Sequence, residues 1–197
     1  MALEHRISEL DTYLFAKGTH YEIYEKMGAH LAEEDGKAGT YFSVWAPNAR
    51  SVSVVGDFNN WDRTAHPMQP VQQSGIWDIF VPGVKAGDLY KFAVETSQGY
   101  TVLKADPYGN QSQLRPDNAS VVADIRYFDW TDQAWRKEHQ EKKTESPMAI
   151  YEVHPGSWKK DPSMPGEFYN FKKLAVELAD YVLEMGYTHV ELIGLSE

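Results

Sequence analysis

"SVSVVGDFNNWDR", residues 51–63, decides how this chain is read. Val52 and Val54 alternate with serines, the period-two pattern of a half-buried strand, and Gly56 ends the run. Asn59 and Asn60 supply turn chemistry, and Trp61 then sets a large ring among polar neighbours. The ring has two readings. It caps a core at the turn, or it offers a flat apolar plate to a ligand from outside.

Working outward, short runs at period two recur from Thr40 to about Asp124: "YFSVWAP", "RSVSVVG", "GIWDIFVPG", "DLYKFAVE", "YTVLKA" and "ASVVAD". Separated by Gly, Pro and Asn, they predict an antiparallel β-sandwich of the Ig-like kind over residues 37–126. Alternation puts Trp77, Ile79 and Val81 on one face, and Tyr90, Phe92 and Val94 together. Lys91 then points the other way, to solvent. Trp45 and Trp77, mid-strand beside apolar residues, are both read as core. Asp35-Gly36 offers hairpin chemistry at the entrance to the first run, and residues 1–36 are read as a lead segment outside the module.

Residues 127–147 form a charged connector with helical character, and the period changes after Pro147. "AIYEVH" is a short apolar strand. "NFKKLAVELADYVLEMG" repeats apolar residues at Phe171, Leu174, Ala175, Leu178, Ala179, Val182 and Met185, one face of a helix with Asn170 and Gly186 as caps. "HVELIG" is a second strand. Over 148–197 this is a β-α-β unit, so its strands should be parallel. Alone, such a unit leaves strand edges unpaired and one face uncovered, so the last strand is expected to belong to a larger α/β domain. Residues 148–197 are accordingly expected to exchange amide hydrogens faster than the sandwich.

Composition narrows the partners. The 197 residues carry a formal charge of −10, which disfavours nucleic acid and anionic membranes and suits a neutral ligand. The absence of cysteine rules out disulfides and thiolate-metal sites, and fits a cytoplasmic setting. The charged "MALEHRISEL" is unlike a signal peptide, and no apolar run approaches membrane-spanning length. With no GxGxxG, P-loop or GxSxG, and 7 scattered histidines, neither cofactor nor metal is expected. The carboxylates single out no catalytic pair. What remains is Trp61 with Asn59, Asn60 and Lys91, a set suited to a sugar. An indole takes the C–H face of a pyranose, amides donate and accept, and an ammonium donates.

"YFSVWAPNARSVSVVGDFNNWD" followed by "GIWDIFVPGVKAGDLYKFAV" resembles the glycogen-binding module that precedes the barrel in α-amylase-superfamily enzymes acting on branched glucans. "LFAKGTHYEIYEKMGAH" before it, with "IYEVHPGSW" and "MGYTHVELIGLSE" after it, narrow the resemblance to the bacterial-type 1,4-α-glucan (glycogen) branching enzymes, from about residue 7 onward. The resemblance implies that residues 148–197 begin a (β/α)8 barrel, and that the family's retaining transfer makes α-1,6 branches from α-1,4 chains in cytoplasmic glycogen synthesis. It also implies that both catalytic carboxylates lie on later strands, so this chain holds none and is inactive by itself. Trp61 matches the sugar-stacking residue of "FNNW", Lys91 the basic residue of "YKF", and Asn118, in "PDNASVV", an asparagine that bonds glucan hydroxyls. Tyr100, in "SQGY", stands nearest the second stacking position, where tryptophan is commoner. The alternatives are a stand-alone glucan-binding or regulatory module, and a debranching or trehalose-releasing relative. The β-α-β tail disfavours the first, and the flanking motifs disfavour the second.

Overall fold

A computed structural model describes residues 6–126, 129–141, 146–163, 166 and 169–195. Residues 127–128 and 142–145 of the connector, and the end of the last predicted segment, lie outside the described residues. The chain divides into two compact units, Met1–Phe128 and Asp129–Glu197. Among the described residues no helix is long and apolar enough to cross a membrane.

The first unit is the antiparallel sandwich. One sheet runs β1 (Gly28–Glu34), β2 (Lys37–Trp45), β5 (Ile76–Pro82) and the two-residue β4 (Gln69–Pro70). The other runs β3 (Ser51–Gly56), β6 (Leu89–Glu95) and β7 (Thr101–Lys104), with β8 (Ser120–Val121) beside the start of β6. Between them lie Phe42 and Val44 of β2, Val81 of β5, Val52 and Val54 of β3, and Tyr90 and Phe92 of β6. Trp77, Ile79 and Val94 pack against this core, as alternation requires. The Tyr90 hydroxyl donates to Asp106 Oδ2 at 2.6 Å, and Asp106 N–H donates to Ser120 Oγ at 2.9 Å, so a buried polar group here is satisfied. Burial pushes both the Tyr90 hydroxyl and the Asp106 carboxyl above their ordinary values.

Two expectations are corrected. Residues 28–34, read as lead segment, are a strand of the sheet, with Glu34 opposite Lys37 across the Asp35-Gly36 turn. Both turn residues have positive φ, 50° and 71°, as a type I′ hairpin needs. Trp45, read as core, is 52% exposed. Phe42 and Val44 already take the core side of β2, so Trp45 faces the other way, edge-on to Phe15 at 5.9 Å.

The remaining lead residues cover that other side. Ile7, Ile23 and Met27 pack on Val71 and Ile76 in a second apolar cluster, joined by Phe15 and Tyr108. Helix α1 (Glu9–Ala16) starts on a capping box, with Asp11 N–H donating to Ser8 Oγ and Ser8 N–H to Asp11 Oδ2. Asp11, only 6% exposed, also accepts from Lys26 Nζ at 2.5 Å and lies 2.8 Å from His20 Nε2. Burial alone would raise its carboxyl. The hydrogen bonds from Lys26, Ser8 and His20 win and hold it well below the usual carboxylate range.

In the second unit α2 (Gln133–Glu141) lies in the connector, and β9 (Ile150–Val153) pairs in parallel with β10 (His189–Leu192). The short α3 (Pro155–Trp158) and the long α4 (Phe171–Met185) separate the two strands. Asn170 Oδ1 accepts from Lys173 N–H, and Gly186 closes α4 at φ 78°. Leu174, Leu178 and Val182 are buried, whereas Phe171 and Met185, at the ends of the predicted apolar face, are exposed. Two strands are too narrow to cover fifteen helical residues. All four residues of β10 are exposed.

The Asp11 cluster makes a pH prediction. Its folded carboxyl titrates below the unfolded value of about 3.9, so its stabilisation is complete above that value. It declines as the pH falls toward the folded value. Urea unfolding of Asp11→Ala is expected to show a loss of about 1–3 kcal/mol at pH 7, shrinking below about pH 4. An unchanged midpoint at pH 7 would remove the cluster from the account.

Candidate functional site

The turn after β3 is built around a glycine that no other residue replaces without movement. A Cβ at Gly56 would lie 2.1 Å from the Leu89 carbonyl oxygen and 2.6 Å from the Phe58 ring. Residues Asp57–Asn59 then make a single 3₁₀ turn, and Asn60 and Trp61 both adopt left-handed backbone, at φ 53° and 61°. Asn tolerates that region. A bulky residue there is strained by about 1–3 kcal/mol.

Asn59 holds the turn. Its Oδ1 accepts from Gly56 N–H at 2.9 Å, and its Nδ2 donates to the Val54 carbonyl at 3.1 Å. Nδ2 also lies 2.8 Å from His66 Nδ1. Since Nδ2 is the donor, Nδ1 must accept, which requires a neutral imidazole. Burial pushes the His66 pKa down, against the opposing pull of Asp62, and so favours that neutral form. Asn59 is 9% exposed with its amide fully engaged, so it is a structural clamp and not a free group for a ligand. Its place in the predicted platform is withdrawn.

Phe58, not Trp61, closes the sandwich core at this end. It stacks on Phe42 at 5.9 Å and meets His66 edge-on at 5.7 Å. Trp61 lies outside that core cluster and is part-exposed. Its N–H donates to the Gly56 carbonyl at 2.9 Å, and its indole Nε1–H donates to Asp57 Oδ1 at 3.1 Å.

Register brings two of the four candidate residues, Lys91 and Asn118, together, and the Trp61 N–H is tied to Gly56 at the end of the strand paired with β6. Gly56 is opposite Tyr90, and Lys91 follows on β6 with its side chain on the face away from the core. Ser120 of β8 is also opposite Tyr90, and Asn118 lies two residues before it. Lys91 Nζ donates to Asn118 Oδ1 at 2.5 Å. That pair leaves two ammonium hydrogens and the Asn118 amide NH2 for hydroxyls. Tyr100, 55% exposed, is set apart. It lies in the β6–β7 hairpin beyond the Glu95–Thr101 pair, five residue steps past Lys91, or about 17 Å along the strand. Leu114, 88% exposed in the loop before Asn118, was not anticipated from sequence. Its signal was a lone apolar residue in an otherwise polar loop. A cleft of about 460 Å³, lined by Phe171, Leu174, Ala175, Leu178, Leu192 and Leu195, belongs to the second unit and offers a sugar no polar side chain.

Residues 26–109 match the family model of carbohydrate-binding module 48 (isoamylase N-terminal domain). The chain is 52% identical over 190 residues to the 1,4-alpha-glucan branching enzyme GlgB of Protochlamydia amoebophila, covering 96% of this chain and 26% of that protein. It is 50% identical over 193 residues to the corresponding protein of Butyrivibrio fibrisolvens, covering 97% of this chain and 30% of that one. The chain therefore spans between a quarter and a third of the length of these relatives. Among solved structures, the catalytic module of the glycogen-degrading pneumococcal virulence factor SpuA superposes with a TM-score of 0.57 at 25% identity. That likeness covers 85% of this chain and 26% of the catalytic-module chain.

The turn makes its own prediction. Asn59→Ala leaves Gly56 N–H and the Val54 carbonyl without their partner and should cost about 1–3 kcal/mol in chemical unfolding. Gly56→Ala should cost at least as much, because the obstructing Leu89 oxygen is backbone. Stability within 0.5 kcal/mol of the parent, roughly the range of an ordinary surface substitution, would contradict the clamp.

Proposed function

We propose that this chain, which is 50–52% identical to 1,4-alpha-glucan branching enzymes over 26–30% of their length, is the glucan-binding and barrel-entry portion of such an enzyme. The single observation that carries the binding role is the mounting of Trp61. A tryptophan is kept in left-handed backbone, outside the core, with its N–H on the carbonyl of Gly56, whose partner across the sheet, Tyr90, immediately precedes Lys91 of the Lys91–Asn118 pair. Strained residues of this kind gather at functional sites. In this reading a glucose ring lies on the indole, while Lys91 and Asn118 bond its hydroxyls. Leu114 adds an apolar contact beside Asn118. Tyr100 takes part only when the glucan is long enough to run along β6.

The whole protein's chemistry follows the family. One carboxylate attacks the anomeric carbon of an α-1,4 bond, forming a glycosyl-enzyme, while a second protonates the departing oxygen. The second then takes the proton from an acceptor 6-hydroxyl, which closes an α-1,6 branch. Both carboxylates belong to later barrel strands, in a cytoplasmic enzyme. Residues 148–197 enter that barrel as its first β-α-β unit, and the exposed residues of β10 and the apolar cleft beside α4 are faces it would cover. A free-standing binding module has no use for such a face.

Calorimetry with maltoheptaose tests the reading on this chain. Trp61→Ala is expected to lower affinity at least tenfold, since a stacking aromatic contributes about 0.5–1.5 kcal/mol beyond its buried area. Lys91→Ala and Asn118→Ala should each cost less, and no branching of amylose should be detectable with the 197-residue chain. Binding by Trp61→Ala equal to that of the parent would overturn the proposal.

A further inference from the structure

We propose that Asp57 is a positioning residue for the Trp61 indole, fixing the plate's orientation before any sugar arrives; this inference rests on the glucan-binding reading. The geometry is local and specific. Trp61 Nε1–H donates to Asp57 Oδ1 at 3.1 Å, across the 3₁₀ turn that separates them. The backbone of Trp61 is pinned by its N–H to the Gly56 carbonyl, but this leaves both side-chain torsions open. The sandwich core does not hold the ring, since Phe58 takes that place. Among the described residues the Asp57 carboxylate has no other hydrogen-bond partner. The bond to Asp57 is therefore what sets the ring plane.

The choice of donor has a chemical consequence. With its N–H engaged at the ring edge, the indole presents its π-face to the ligand, and stacking becomes its mode of contact. A plate already held in its binding orientation also avoids the ordering cost of immobilising a rotamer-rich side chain on association. Releasing it should weaken binding by about three- to tenfold, the equivalent of one such side chain.

The test uses the full 197-residue chain and maltoheptaose. Asp57→Ala is expected to bind three- to tenfold more weakly than the parent with an unchanged unfolding midpoint. Asp57→Asn keeps an acceptor oxygen and is expected to bind within twofold of the parent. In ¹H–¹⁵N spectra the Trp61 indole N–H resonance should move upfield and broaden in Asp57→Ala and stay in place in Asp57→Asn. This readout needs no ligand, and it holds if the alanine variant is too unstable for calorimetry, because the asparagine variant and the parent still differ or agree. Parent-like binding and an unmoved indole resonance in Asp57→Ala would overturn the positioning role, and would leave the glucan reading standing as long as Trp61→Ala fails to bind. Full binding by Trp61→Ala would instead remove the glucan reading itself.

Discussion

Asn59 bonds with both ends of its amide to the backbone of the strand that precedes it, and the rim of the first unit is arranged around that fact. The carboxamide oxygen takes Gly56 N–H, and the nitrogen reaches the Val54 carbonyl and His66. Together these turn the chain sharply at the end of β3, at a glycine too close to the Leu89 carbonyl for any side chain. The sharp turn is what carries Phe58 inward onto Phe42 and leaves Trp61 outside. One amide thus separates the two aromatic roles of a five-residue stretch. The ring that packs and the ring that faces outward are three residues apart, and neither could exchange places without breaking the clamp.

The β1-β2-β5-β4 sheet of the first unit works on both faces. One face of β5, through Trp77, Ile79 and Val81, builds the sandwich core. Ile76, on the opposite face, anchors Ile7, Ile23 and Met27, and Asp11 ties the helix between Ile7 and Ile23 to Lys26 and His20. The lead residues are therefore a third layer and not a loose leader. Lys91 and Asn118 sit on the other sheet of the sandwich, so the candidate glucan face and the covered face are carried by different sheets.

Much of this was legible where one physical rule governs a position. Period-two alternation placed Trp77 and Tyr90 inward and Lys91 outward, and the helix caps at Asn170 and Gly186 followed from residue type. Three positions were not legible, each for a stated reason. β1 reads as polar because its sequence, "GAHLAEE", is only part-buried and lacks the alternation that marks a strand. Trp45 has apolar neighbours on both sides in sequence, but the phase of β2 was already fixed by Phe42 and Val44. Asn59 and Asn60 look alike in sequence, yet one is a buried clamp and the other an exposed left-handed turn residue. Only tertiary geometry tells them apart. Within the site, Lys91 and Asn118 are 27 residues apart and meet because β8 pairs with β6, a non-local pairing that neither residue announces.

The central claim is that Trp61 is the surface on which a glucan sits. The most direct measurement is a maltoheptaose titration followed through the indole N–H resonances of the 6 tryptophans in ¹H–¹⁵N spectra. The account predicts that the Trp61 resonance shifts saturably, together with the backbone amides of Lys91 and Asn118, while the core-packed Trp77 stays still. A Trp61 resonance that does not move while another tryptophan's does, or a spectrum unchanged at millimolar sugar, would contradict it.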